Sequence, residues 1–173
     1  MSLIEASYFS TPDCNLPQGT YETISEHVTR YERDILIQLL GYDLYKLVAA
    51  YTSASPQRIK DIVEGKEYTL DTYTIKWNGL KNDQKISILS YYVFIEYVKN
   101  YSESFQNIGA VSAPGTKSPA GLIQRAGVRL KELAGYPGQN GYKPSLYNFM
   151  GNYLTTYPEW IWTGYWPENM FDI

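Results

Sequence analysis

The segment from Gln84 to Phe105 constrains the fold of this chain most strongly. Its apolar and aromatic positions are Ile86, Ile88, Leu89, Tyr91, Tyr92, Val93, Phe94, Ile95, Tyr97 and Val98. At 3.6 residues per turn these side chains cover nearly every face of a helix. A helix that is apolar all round is a buried one, so the sequence predicts a long helix, capped by Asp83, at the centre of the domain or of a subunit interface.

Shorter helical segments flank this one. From Tyr21 to Leu39 the apolar residues step by three or four, and Gly41 is a suitable C-terminal cap. Further helices are predicted around 44–48, from 56 to 65, from 119 to 135 and after Pro144. The sequence therefore predicts a mainly α, compact bundle of about five to six helices in a single domain, residues 1–173, with extended N- and C-terminal segments.

Residues 67–77 have a different character. They are rich in β-branched and aromatic side chains and alternate in part, which predicts a small β-hairpin that turns near Asp71 and ends at Asn78-Gly79. The domain then divides into an N-terminal arm (1–19), helices and hairpin (20–105), a flexible small-residue loop (106–118), helices (119–154) and an aromatic C-terminal tail (155–173).

Amino-acid composition limits the cellular compartment and the classes of partner that we expect for this protein. The net charge is −3, so no overall positive field attracts nucleic acid or anionic lipid. A single cysteine, Cys14, cannot form an internal disulfide and indicates a reducing compartment. The first residues do not have the pattern of a secretion signal, and no stretch has the length and apolar character of a membrane span. We expect a protein that stays in a cytoplasm, without a membrane partner.

The residues offer little for catalysis or metal binding. One histidine and one cysteine rule out a clustered zinc site, and no acidic run resembles a calcium loop. His27 lies inside the first predicted helix, where a boundary residue is commoner than a catalytic base. Gly109 to Ser118 fails as a phosphate-binding loop, because its glycine spacing is one residue too long and it follows a helix. The sequence therefore predicts no enzyme and no cofactor.

Partner contacts are expected in the aromatic tail and in the small-residue loop. The chain has 18 tyrosines and 4 tryptophans against 5 phenylalanines, a balance that suits either protein interfaces or a tyrosine-rich core. The tail could pack on its own domain, stack on sugar rings or dock onto another subunit, and docking is preferred. The candidate interface residues are Trp160, Trp162, Tyr165, Trp166, Phe171, Ile108, Val111 and Lys117.

A basic helix face is the only candidate for DNA contact. Arg125, Arg129 and Lys131 share the fifth predicted helix, with Glu132 beside them. Three charges of this kind can touch phosphates, or they can form ordinary ion pairs on a solvated face.

Three stretches together resemble the head–tail connector (adaptor) proteins of tailed bacteriophages and prophages of Bacteroides-like hosts. They are Tyr31 to Lys46 (YERDILIQLLGYDLYK), Ile62 to Tyr68 with Lys76 to Lys81 (IVEGKEY and KWNGLK), and Pro144 to Tyr153 followed by Tyr157 to Trp160 (PSLYNFMGNY and YPEW). The resemblance covers most of the chain from about residue 20 onward, apart from the loop at 106–118.

The resemblance implies a structural virion protein of the phage neck, made in the host cytoplasm. Such a subunit forms a homo-oligomeric ring of about twelve copies beneath the portal protein. The ring extends the channel for double-stranded DNA, without sequence-specific binding, and offers a platform to downstream neck or tail proteins. No catalytic residues are implied. A small carbohydrate- or protein-binding module, or another neck component such as a stopper or tail-completion protein, remains the alternative.

Overall fold

The computed structural model describes residues 2–12, 14–16, 21–107 and 119–164. These residues form a short 3₁₀ helix, six α-helices and a two-stranded antiparallel hairpin, which confirms the predicted mainly α class. The elements are the 3₁₀ helix Ala6–Ser10, α1 Tyr21–Leu40, α2 Tyr42–Ala49, α3 Gln57–Val63, β1 Lys66–Leu70, β2 Tyr73–Trp77, α4 Ile88–Asn107, α5 Pro119–Ala134 and α6 Leu146–Asn152.

The α4 helix is the central element, as its apolar sequence predicts. It packs against α1 on one side and α5 on another. From Ile88 to Val98 every residue of α4 is buried except the half-buried Glu96. The uninterrupted apolar surface of this helix is therefore covered by its own domain over the first three turns.

The start of α4 differs from the prediction. The helix begins at Ile88, four residues later than an Asp83 cap would place it. Lys85 has a left-handed φ of 57°, which interrupts a helix, and Ser87 provides the cap instead. Its hydroxyl accepts the Leu89 N–H at 3.1 Å, while its own N–H donates to the Ser90 hydroxyl at 3.3 Å.

The hairpin lies where the sequence predicts it. Its register pairs Lys66 with Trp77 and Leu70 with Tyr73, and Asp71 takes a left-handed φ of 54° in the turn. Residues 68, 75 and 77 point into the core, whereas residues 71–74 are all exposed. The base of the hairpin is thus anchored in the domain and its tip projects into solvent.

The N-terminal arm is integrated into the core. Tyr8 and Phe9, on the 3₁₀ helix, are buried, and the arm packs against α1 and α4. The N–H groups of Leu3 and Ile4 donate to the buried carboxylate of Glu32, at 2.8 and 3.4 Å. Burial raises the pKa of Glu32, and these two hydrogen bonds offset the rise only in part.

Candidate interaction surfaces

Residues 157–163, here called the strap, cover the C-terminal end of α1. A helix leaves its last four carbonyls without partners in the helix itself, which for α1 are those of residues 37–40. All four are satisfied here. The pairs are Gly41 N to Ile37 O (2.9 Å), Thr163 N and Oγ1 to Gln38 O (3.3 and 2.6 Å), Trp160 Nε1 to Leu39 O (2.9 Å) and Ile161 N to Leu40 O (3.3 Å).

Two further contacts fix the start of the strap to α3. The buried Tyr157 hydroxyl donates to the Arg58 carbonyl at 2.8 Å, and burial raises the pKa of this tyrosine. The Arg58 guanidinium forms two parallel hydrogen bonds of 2.9 Å with Glu159 and lowers the pKa of that carboxyl. The strap therefore joins α3 to the end of α1 through contacts between residues 101 and 121 positions apart in the sequence.

The structure places Trp160 and Trp162 on their own domain. Both indoles are half-buried against the core and contact the Tyr147 ring of α6, with centroids 5.7 and 5.0 Å apart. Trp160 also caps α1, as described above. The indole N–H of Trp162 is buried and has no hydrogen-bond partner among the described residues. These two tryptophans thus pack on their own domain, as the self-packing alternative describes, and their contact with a partner stays a prediction.

The other predicted interface residues lie outside the described part of the chain. They are Tyr165, Trp166 and Phe171 in the tail and Ile108, Val111 and Lys117 in the loop.

The basic face of α5 is exposed but already engaged with its own side chains. Arg129 forms an ion pair with Glu132 at 2.9 Å, and both side chains are exposed. The Lys131 ammonium lies 5.0 Å from the centroid of the Tyr136 ring. Arg125 is exposed on the same helix. Arg125 and Arg129, four residues apart, share one side of α5, whereas Lys131 lies about 200° around the helix axis from Arg129. With Glu132 among them, these side chains form a mixture of charges typical of a solvated helix surface.

An exposed patch that the sequence analysis did not single out lies at the junction of α1 and α2. It consists of Tyr42, Tyr45 and Ile161, with Arg33 and Lys46 beside them, and is called the corner patch. Tyr42 and Ile161 are 57% and 60% exposed. A Cβ built on Gly41, which has a φ of 77°, would lie 3.1 Å from the Ile161 Cβ, so the strap and the start of α2 are in close contact here.

A second exposed patch, the hairpin tip, consists of Asp71, Tyr73 and Tyr142. The two tyrosine rings meet edge to face with centroids 5.1 Å apart, and their residues are 62% and 45% exposed. The Tyr142 hydroxyl donates to the Asp71 carboxylate at 2.7 Å, which raises the pKa of this tyrosine. Two aromatic rings and one carboxylate therefore form a contacting, solvent-exposed group on the protein surface.

The two patches belong to different elements. The corner patch lies on α1, α2 and the strap, and the hairpin tip lies on the β1–β2 turn and the segment before α6. Between them, Tyr147 of α6 contacts the strap tryptophans, and Phe149 contacts both Tyr68 of β1 and Tyr157 of the strap, with centroids 5.8 and 6.0 Å apart. Within the described residues no hydrogen bond, ion pair or ring contact joins one patch to the other.

An open polar cleft of ≈ 670 Å³ lies between the N-terminal arm and the segment that leads into α4. Its charged residues are Lys76, Lys81, Lys85, Glu5, Glu64 and Asp83. The Tyr51 hydroxyl donates to Glu64 at its edge. Three ammonium and three carboxylate groups balance in number, so the lining charges favour neither an anion nor a cation.

His27 is a half-buried member of an aromatic cluster. Its ring stacks on Tyr31 with centroids 5.8 Å apart and meets the edge of Tyr97 at 5.3 Å. Across the described ranges, no group of three or more histidine, cysteine or carboxylate side chains is placed to hold a metal ion. None of the helices in these ranges is long and apolar enough to cross a membrane.

Comparison with known proteins found no relative of this chain. No protein-family model, characterised protein or solved structure matches it. What the chain binds must therefore be inferred from its own residues and their geometry.

Proposed function

We propose that this protein is a structural subunit of a bacteriophage virion, which assembles into a ring between the portal and the neck or tail. The resemblance of its sequence to head–tail connectors supports this role. That resemblance implies a helical subunit with a small hairpin, and the chain has this architecture.

The observation that carries the proposal is the presence of two separate exposed patches with aromatic side chains, the corner patch and the hairpin tip. A subunit in a cyclic ring meets its two neighbours through two different surfaces, because such interfaces are heterologous. Of the eight large apolar side chains exposed in the described ranges, four belong to these patches: Tyr42 and Ile161 to the corner patch, Tyr73 and Tyr142 to the hairpin tip. Tyrosine and arginine are enriched in the buried centres of protein interfaces.

The remaining partners follow from the position of such a ring. The portal protein contacts one face, neck or tail proteins contact the other, and double-stranded DNA passes through the channel without sequence-specific contacts. A net charge of −3 suits a channel along which DNA slides without adhering. The exposed side chain of Arg125 on α5 is the best of the three candidate phosphate contacts, since Arg129 and Lys131 are engaged elsewhere.

A carbohydrate-binding module is the second candidate function, and one observation favours it. The hairpin tip presents two exposed aromatic rings beside a carboxylate, a combination that suits stacking on a sugar ring with a hydrogen bond to a hydroxyl. This candidate requires binding by a monomer, whereas the ring proposal requires self-association.

Native mass spectrometry across a concentration series, with negative-stain images of any large species, tests the two candidates. The ring proposal predicts closed oligomers of about twelve subunits. The double variant Tyr42→Ser with Tyr73→Ser should remain monomeric, whereas Leu154→Ser, a change at an isolated exposed residue (56%), should assemble normally. A wild-type protein that stays monomeric at every concentration, even with portal protein added, would contradict the ring. Glycan binding by that monomer would favour the second candidate.

A further inference from the structure

The hairpin tip has the shape and charge of an insertion element. Residues 71–74 are all exposed, whereas Tyr68, Ile75 and Trp77 at the base are buried. The base is therefore rigid, and the tip stands clear of the domain. Its charged group is the Asp71 carboxylate, held in place by the Tyr142 hydroxyl at 2.7 Å.

The corner patch has the complementary charge. Along α2 it contains a shallow, open groove of ≈ 480 Å³, lined by Arg33, Tyr42, Tyr45, Lys46, Ala49 and Ala50. Both charged side chains in this lining are basic. Lys46 forms an exposed ion pair with Asp43 at 2.9 Å, which competes little with a new partner. Arg33 is exposed and takes part in no ion pair within the described residues.

We propose that the hairpin tip of one copy docks into the groove of the corner patch on the next copy. Asp71 then faces Arg33 and Lys46, and Tyr73 and Tyr142 pack against Tyr42 and Tyr45. This inference rests on the proposed function, because it identifies the joint of the proposed ring.

The groove is filled by the hairpin tip of a second copy of the chain, because the tip and the groove do not meet within one chain. The acidic aromatic tip and the basic aromatic groove complement each other, but within one chain both are exposed, and no hydrogen bond, ion pair or ring contact among the described residues joins them. A single chain therefore does not bring them together, and the contact forms between copies. A contact between two different surfaces is directional, so it adds subunits in one sense until a ring closes.

Cysteine cross-linking of the full chain tests the joint directly. The variant Thr72→Cys with Ala49→Cys places one thiol on the exposed tip and one in the groove, and it keeps both tip rings. The native Cys14 is buried, with 1% exposure, and should not react. The matched control is Thr72→Cys with Val128→Cys, which moves the second thiol to an exposed position (51%) on α5.

Under mild oxidation the tip–groove variant should give a ladder of disulfide-linked oligomers on a non-reducing gel, and the control should remain mainly monomeric. Three results would overturn the joint: no ladder from the tip–groove variant, an equal ladder from the control, or dimers from Thr72→Cys alone. If native mass spectrometry shows oligomers while the ladder is missing, the joint is wrong and the proposed ring stands. If it shows monomers only, both fail.

Removing the tip charge provides an independent test. Asn is well tolerated in the left-handed conformation of residue 71, so Asp71→Asn removes the charge with little strain. The concentration at half-assembly should rise about tenfold, as expected for one interfacial ion pair worth about 1.4 kcal/mol. Asp83→Asn, an exposed change in the polar cleft, should leave that concentration unchanged. An unchanged half-assembly concentration for Asp71→Asn would contradict the charge contact.

Discussion

The two strap tryptophans offer a matched test of how the strap stabilises the fold. Trp160→Phe and Trp162→Phe make the same chemical change two residues apart, and each removes an indole N–H and part of a half-buried ring. The Trp160 N–H caps the Leu39 carbonyl at 2.9 Å, and Leu39 is fully buried. The Trp162 N–H is buried without a partner among the described residues. The first change should therefore cost much more stability than the second.

The expected magnitudes follow from these contacts. Each change gives up about 40 Å² of buried apolar surface, or about 1 kcal/mol. At Trp160 the change also leaves a buried carbonyl unsatisfied, which costs about 1–3 kcal/mol more. At Trp162 it removes a buried unsatisfied donor, which offsets part of the lost burial. The free energy of unfolding should therefore fall by about 2–4 kcal/mol in Trp160→Phe and by at most about 1 kcal/mol in Trp162→Phe.

Urea denaturation followed by far-ultraviolet circular dichroism measures this difference, because the signal comes from the helices and not from the altered indoles. With an m-value of about 2 kcal/mol/M, the two midpoints should differ by about 0.5–2 M. All variants are compared at one protein concentration, since self-association shifts apparent stability. Equal midpoints for the two variants would refute the capping role of Trp160. If Trp160→Phe abolished assembly without changing the free energy of unfolding, Trp160 would be a residue of the partner interface.

Two further predictions concern a buried carboxyl and a close backbone approach. Burial raises the pKa of Glu32 above 4.5, so the stability it contributes is present below its unfolded pKa and is lost as the pH rises through the folded pKa. The unfolding free energy of the wild type, measured relative to Glu32→Gln, should therefore fall as the pH rises above about 4.5, the ordinary pKa of a glutamate, and a constant difference would contradict this. Gly65→Ala places a Cβ 2.4 Å from the Trp77 carbonyl at a φ of 95° and should cost more than about 3 kcal/mol by urea denaturation. Gly138→Ala, with a φ of 83° and no atom within 4 Å, should cost only the backbone strain of about 1–2 kcal/mol, and equal losses would show that the Gly65 contact is unimportant.

Because the strap packs on its own domain, a substitution in the tail can affect the stability of the fold as well as assembly. From the sequence, loss of tail tryptophans is expected to abolish assembly while the monomer stays folded. Trp160 caps α1 within its own chain, so its removal affects the fold as well. The exposed residues Tyr42, Tyr73 and Tyr142 are better probes of assembly, because each makes few contacts in the monomer that a substitution would break.

Elements governed by short-range patterns could be predicted well. The apolar surface of α4, the alternation in the hairpin and the glycines at 41, 65, 79 and 135 all act within a few residues of the structure they determine. Each of these glycines has a positive φ at the end of a helix or strand. Where two local signals compete, prediction was less accurate. Asp83 is as good a cap as Ser87 by residue type, and only the backbone conformation of Lys85 decides between them.

The sequence by itself determined the helical class, the hairpin and its turn, and the burial of the central helix. Hydrophobic periodicity and turn-forming residues act over a short stretch of the chain, so these features can be predicted from the order of the residues. The tertiary structure alone decided the strap, the tie between the N-terminal arm and Glu32, and the two exposed patches. The Trp160–Leu39 bond joins residues 121 positions apart, and the Tyr142–Asp71 bond joins residues 71 apart. No local pattern encodes such pairings, because they depend on where the packed helices place the ends of distant segments.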